Sequence, residues 1–145
     1  MQTEPAPSKA GEYLRWVALP FATLIGAAVA SLAFRLIQWV CLKFQGGFSE
    51  DGWFFLYILP IFASAVYGYA YVEISYAVAP KAKVVASIVM TTLLGVLCLG
   101  GAVFVWYVNA KSPADMVHLA VQAVATMIAA IVALRSHFED GALAR

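Results

Sequence analysis

Four long apolar stretches, separated by short polar breaks, dominate the pattern of hydrophobic and polar positions along the chain. They predict helical spans at about residues 15–40, 53–76, 84–107 and 113–134. Each stretch is long enough to cross a membrane, because about 20 helical residues traverse a hydrocarbon core of about 30 Å. The charged residues lie between the stretches or near their ends and do not form the polar stripe of a helix on a soluble protein. The pattern therefore predicts an all-α integral membrane protein with four transmembrane spans.

The breaks between these stretches are short and contain helix-breaking residues. Gly46-Gly47 predicts the first turn, Ala79-Pro80 the second, and Asn109 to Ser112 the third. Ser112, Pro113 and an acid at Asp115 form a helix-start signature for the fourth span. Short loops make sequential helices antiparallel neighbours. We therefore expect an up-down four-helix bundle without a soluble domain and with both termini on one side.

The domain organisation that follows is simple. We expect a disordered cytoplasmic tail at residues 1–12, a single transmembrane domain at 13–137 and a short C-terminal tail at 138–145. The first residues lack the basic start and small-residue cleavage site of a signal peptide, so the first helix is expected to stay in the mature protein.

Composition and charge agree with a membrane protein. The chain is 63% hydrophobic and only 12% charged, whereas a soluble domain carries about a quarter charged residues. Its net charge of +1 gives no field that would attract nucleic acid, so the bilayer is the expected partner. Basic residues favour the side of the termini, which predicts cytoplasmic termini in a bacterial inner membrane. The two sets are Lys9, Arg15, Lys81, Lys83, Arg135 and Arg145 against Arg35, Lys43 and Lys111.

Small residues spaced four apart occur on every helix, and such residues let helix backbones approach each other in lipid. They predict close packing inside the bundle, in a homo-oligomer or against a larger membrane protein, and the sequence leaves these three possibilities open. The candidate packing residues are Gly26, Ala30, Ser64, Gly68, Gly95, Ala125 and Ala129.

The fourth helix carries a polar track on one face, consisting of Asp115, His118, Gln122 and Thr126. A histidine and a carboxylate at this spacing could relay protons or line a conduction path. The more common arrangement is a helix cap at Asp115 followed by hydrogen bonds to neighbouring helices. We favour the second interpretation because the helix-start signature already accounts for Asp115.

Three charged residues fall near the ends of the predicted spans. Glu73 near the end of helix two and Arg15 near the start of helix one are candidates for a structural ion pair, which is more common than an unpaired acid that couples protons. Arg35 lies at the opposite boundary, where a long basic side chain can extend to the interface.

No cofactor, metal or catalytic residue is expected. His118 and His137 flank opposite ends of helix four, about 28 Å apart, so one chain cannot ligate a haem with both. Cys41 and Cys98 show no metal-binding or redox spacing, and no nucleophile motif is present.

These observations predict a small non-enzymatic membrane protein, an accessory or structural subunit of a larger membrane complex or a homo-oligomer. The alternative is an oligomeric channel or small transporter that uses the polar track on helix four. Flux through such a channel would change as the pH crosses about 6 to 7, where histidine ordinarily titrates.

Overall fold

The computed structural model of the chain describes residues 9–45, 52–80, 82–109 and 113–143. Within these ranges the chain is all-α and contains no strand, which confirms the predicted four-helix architecture. A π-helical turn, Phe54–Ile58, leads directly into the second helix. The four helices are α1 (Lys9–Gln45), α2 (Leu59–Val78), α3 (Lys83–Asn109) and α4 (Pro113–Leu143).

All four helices are long and apolar enough to cross a membrane, over Tyr13–Phe44, Phe54–Val78, Lys83–Val108 and Ala114–Glu139. Large apolar side chains such as Leu32, Val96 and Ile128 lie on the outside of the bundle. Water would make so much contiguous apolar surface an aggregation site, whereas a bilayer solvates it. The chain is therefore an integral membrane protein.

The first and last helices of the chain, α1 and α4, extend further than the sequence pattern indicated. α1 already begins at Lys9, inside the segment expected to be a disordered tail, and α4 continues past the expected end near Leu134 to Leu143. An ion pair of 2.9 Å between Arg135 and Glu139, one turn apart, supports this extension. Residues 1–8 and 144–145 of the expected tails, and the Gly46-Gly47 turn, lie outside the described residues.

Pro60 shapes the start of α2. A proline ring clashes with the carbonyl four residues earlier and cannot donate to it. The chain accommodates this with the widened turn Phe54–Ile58, in which the Leu59 amide donates to the carbonyl of Phe54, five residues earlier. Pro60 then lies in the first turn of α2, where a missing N–H is tolerated.

The turn between α2 and α3 is compact. The Ala79 amide closes α2 by donating to the Ser75 carbonyl at 3.1 Å, and Pro80 follows. Ala82 has a φ of 48°, a left-handed conformation that reverses the chain at some conformational cost, since its Cβ is crowded there. Its carbonyl accepts from the Ala86 amide at 3.0 Å and so starts α3.

α2 is the central helix of the bundle. It packs along α1 and α4 more extensively than along α3, while α3 also contacts α4. α1 has little or no contact with α3 or α4. Because the chain reverses at each turn, α2 and α4 run in the same direction, and the diagonal pair of the up-down bundle is the one in closest contact.

The buried core lies toward one end of the bundle. We call the end where α1 begins and α4 finishes the terminal end, and the opposite end the Trp53 end. α2 has buried residues along most of its length. The buried residues of the other helices lie in their central parts and terminal halves. In α3 the last buried residue is Leu94, and none follows between Gly95 and Val108. The buried residues of α1, α3 and α4 are Leu19, Thr23, Ala27, Ala86, Ser87, Met90, Thr91, Leu94, Thr126, Ala130 and Ala133.

Candidate functional site

The seam between α2 and α4 is the tightest helix contact and is built around Gly68. A Cβ atom at this position would overlap the carbonyl oxygen of Thr126, so only glycine lets the two backbones come this close. Contacts of this kind replace the hydrophobic effect as the source of helix association in lipid. The seam therefore fixes α4 against α2.

The deeper half of the predicted polar track lies in this seam. The Thr126 hydroxyl lies 3.2 Å from the Ser64 carbonyl on α2 and 2.9 Å from the Gln122 carbonyl on its own helix, so it can donate to either. The Ser64 hydroxyl donates to the Pro60 carbonyl at 2.7 Å and lies 3.5 Å from the Gln122 side-chain oxygen. Gln122 and Thr126 thus join two helices of the same chain.

The outer half of the track is arranged differently. His118 is half-buried and meets the ring of Tyr57, in the π-helical turn before α2, edge to face, with ring centroids 5.5 Å apart. Asp115 is exposed in the first turn of α4, and its predicted capping partner Ser112 lies outside the described residues. The four polar residues follow one helix face; two of them contact α2, and His118 contacts the turn before it.

A second polar cluster lies at the terminal end and was not anticipated from the sequence. The imidazole of His137 on α4 stacks flat on the ring of Tyr76 on α2, with centroids 3.9 Å apart and an interplanar angle of 3°. Its Nε2 lies 3.3 Å from a carboxylate oxygen of Glu73, close enough for an ion pair but without the alignment of a hydrogen bond. The Lys83 ammonium of α3 lies 5.4 Å from the Tyr76 ring centroid. This cluster joins α2, α3 and α4.

Glu73 therefore has a different partner from the one expected. Arg15 is exposed on α1, and the described residues include no ion pair between Arg15 and Glu73. The carboxylate faces α4 instead, where His137 is only 12% exposed. The expectation that Glu73 takes part in a structural pair rests on its position in α2, but nothing in the spacing of the sequence indicated His137.

The small residues lie at or beside the helix contacts. On α1 the buried positions are Leu19, Thr23 and Ala27, and the predicted Gly26 and Ala30 lie half-buried beside them. Gly26 faces the side chain of Ile74. On α4 the buried positions are Thr126, Ala130 and Ala133, with Ala125 and Ala129 half-buried next to them. On both helices the buried positions are offset by one residue from the predicted packing positions, which is about 100° around a helix.

An open apolar groove, which we call the α3–α4 groove, lies between α3 and α4 where the core ends. Its volume is about 400 Å³. The two helices lie close together at one end of the groove, where a Cβ atom added to Gly95 would lie 3.4 Å from the methyl carbon of Met127. Beyond that point Gly100 and Gly101 face open space. The groove is lined by Gly95, Cys98, Leu99, Ala102, Ala120, Ala123, Val124, Met127, Ile128 and Ile131.

The chemistry of these sites limits what they can do. The α3–α4 groove offers apolar side chains to an occupant, so it suits an acyl chain or an apolar helix and not a polar substrate. Within the described ranges no three His, Cys, Asp or Glu side chains come together as metal ligands would. The polar seam and the terminal cluster both connect helices of the chain to each other.

No protein-family model, no curated protein and no solved structure matches this chain.

Proposed function

We propose that this chain is a small non-enzymatic subunit that associates, through the α3–α4 groove, with a membrane-spanning helix of another polypeptide. The observation that carries the proposal is the groove itself, which is open and apolar. It lies within the membrane-spanning parts of α3 and α4 and has small residues on both walls. Gly95 and Ala102 contribute from α3, and Ala120 and Ala123 from α4.

Helices in a bilayer are held together chiefly by close packing of their side chains and backbones. Lipid tails are as apolar as leucine, so burying apolar surface gives no advantage there, and close van der Waals packing decides association. Glycine and alanine on the walls of a groove let a second helix approach along its length. At the seam between α2 and α4 this chain already uses such packing, at Gly68 against Thr126.

The partner helix belongs either to a larger membrane protein, which makes this chain an accessory or structural subunit, or to another copy, which makes it a homo-oligomer. We propose that this chain lies in a bacterial inner membrane with its termini in the cytoplasm. The distribution of charge supports this orientation, since Arg15, Lys83 and Arg135 lie at the terminal end and Arg35 and Lys43 toward the Trp53 end.

The channel alternative receives less support from the geometry. A track that conducts ions must face a water-filled path, but Gln122 and Thr126 make their contacts with Ser64 on α2. Hydrogen bonds of this kind are common between transmembrane helices that simply pack. The polar track therefore fits the interior of a helix bundle better than the wall of a pore.

Filling the α3–α4 groove tests the proposed function. Ala123→Leu adds three carbon atoms to its wall without entering the buried core, so the chain should fold and the association should be lost. The control is Ala33→Leu, at an exposed alanine on α1. Native mass spectrometry after gentle-detergent extraction should show a larger assembly for the wild-type and Ala33→Leu proteins and the isolated chain for Ala123→Leu.

The masses also identify the partner, because a homo-oligomer is a multiple of the 15.6 kDa chain. An isolated wild-type chain, or an assembly that Ala123→Leu leaves intact, would count against the proposal.

A further inference from the structure

The Trp53-end segment of α1 carries a charged and aromatic face that the proposed association does not use. The Ser31 hydroxyl donates to the Ala63 carbonyl at 3.1 Å, which fixes how far α1 is shifted along α2. With a rise of about 1.5 Å per residue, Arg35 lies about 6 Å beyond Ser31, near the level of Leu59. Lys43 lies about 18 Å beyond Ser31, slightly past the level of Trp53. Trp53 is exposed, and tryptophan is typical of the membrane interface, so the segment from Arg35 to Lys43 is expected to cross that interface.

Three residues spaced four apart form this face, which we call the Arg35 face: Arg35, Trp39 and Lys43. All three are exposed, and Trp39 is 38% exposed. The Lys43 ammonium lies 4.6 Å from the centroid of the Trp39 ring, so it points back along the helix toward Arg35. The Arg35 guanidinium reaches the same level when its side chain extends toward the interface. The Lys43 charge thus lies at Trp39, and the Arg35 charge can reach the same level.

Among the residues that the structure describes, no acid balances the charge on this face. Within the described residues neither Arg35 nor Lys43 takes part in an ion pair. A charge at this depth is costly unless a counter-charge or water reaches it. Arginine matches the geometry of a phosphate and can donate two parallel hydrogen bonds to it. Phosphates of lipid headgroups lie at this level of a bilayer.

We propose that the Arg35 face binds the phosphate of an anionic lipid in the leaflet at the Trp53 end. Arg35 and Lys43 donate to the phosphate from below and above, and the Trp39 ring lies along the glycerol and the first carbons of the acyl chains, the position that tryptophan prefers at an interface. This site is on α1, away from the α3–α4 groove, so it does not depend on what occupies that groove.

Trp39 lies inside the site and can report on it. In a chain with Trp16, Trp53 and Trp106 changed to Phe, Trp39 is the only tryptophan, and it alone emits when the excitation wavelength lies beyond tyrosine absorption. This protein is reconstituted into mixed phosphatidylglycerol and phosphatidylcholine vesicles in which one of the two lipids carries brominated acyl chains. Bromine quenches a neighbouring tryptophan, so the two labels compare which lipid lies beside Trp39.

The matched control keeps Trp106 as the only tryptophan. Trp106 is 67% exposed on α3, and the contact between Ser75 and Ser87 places it near the level of Leu56, almost the same depth as Trp39. No basic residue lies within one turn of it in the sequence. Depth alone would therefore affect both tryptophans equally.

We expect brominated phosphatidylglycerol to quench Trp39 more strongly than brominated phosphatidylcholine at equal mole fraction, and Trp106 to show no preference. One basic residue near a membrane surface enriches an anionic lipid about fivefold. Arg35→Gln with Lys43→Gln should therefore remove the preference, and high salt should reduce it in the unchanged protein. Equal quenching by both lipids at Trp39 would overturn the proposal, as would a preference that persists in the double variant.

Discussion

Gly68 determines how closely α2 and α4 approach each other. Its missing side chain leaves room for the backbone of Thr126, whose hydroxyl then reaches the Ser64 carbonyl at 3.2 Å. One position thus controls both the packing and the hydrogen bond of the seam. Gly100 and Gly101, which face open space, show that glycine alone does not create such a contact.

Gly68→Ala should destabilise the protein although alanine favours helices. The added methyl group forces α2 and α4 apart, and overpacking of this kind costs about 1–3 kcal/mol. The matched change Gly100→Ala adds the same methyl group where nothing is near it, so it should be neutral or stabilise by up to about 1 kcal/mol. Unfolding in mixed detergent micelles measures both changes. Equal stability of the two variants would contradict the close contact at Gly68.

At the level of single residues, the sequence shows chemical type and spacing but not partners. Ser64 and Gly68 stand out because small residues four apart share a helix face. The pairing of Glu73 with His137 could not be found in this way, because it depends on how far α4 is shifted along α2. Both Arg15 and His137 lie near the terminal end in the sequence pattern, and only packing decides between them.

Among the elements, the last turns of α4 are joined to α2 by His137, beyond the buried Ala133. Its ring stacks on Tyr76 and its Nε2 faces Glu73. The nearby pair Arg135 and Glu139 is exposed and stays within α4, so it adds little to the contact between helices. Removing His137 should therefore loosen the end of α4 and leave the rest of the bundle closed.

His137→Ala should increase the hydrogen exchange of backbone amides in the last turns of α4. An aromatic pair contributes about 0.5–1.5 kcal/mol beyond its buried area, which corresponds to about two- to tenfold faster exchange. Arg135→Ala, two residues away and lacking only an exposed pair, should change exchange far less. Hydrogen exchange with mass spectrometry on the reconstituted protein makes the comparison. Equal protection in wild type and His137→Ala would show that the stack does not hold the helix end.

The existence of the four helices could be predicted because each is a long apolar run. The length of such an uninterrupted apolar run separates membrane spans from other helices. Their ends could not, since residues 9–12 and 135–143 are polar enough for a tail and contain both good helix formers and glycines. The buried faces were offset by one residue on α1 and α4. A helix that is apolar all round gives no moment to show which side faces the core.

On the scale of the whole molecule, the bundle is closed at the terminal half and open toward the Trp53 end. Short loops predicted antiparallel neighbours, and the helices do follow one another in that way. They did not predict that α2 would be central or that α1 would stay at the edge. The α3–α4 groove follows from that arrangement, because α4 packs on α2 more extensively than on α3.

The most direct test of the central claim is photocrosslinking from the α3–α4 groove in the native membrane. A diazirine analogue of leucine replaces Leu99, which lines the groove and is 71% exposed, or, as a control, Leu32, which is 68% exposed on α1. We expect irradiation to attach position 99 to another polypeptide and position 32 to lipid only. Adducts with lipid alone at position 99, or the same protein adducts from both positions, would contradict the central claim.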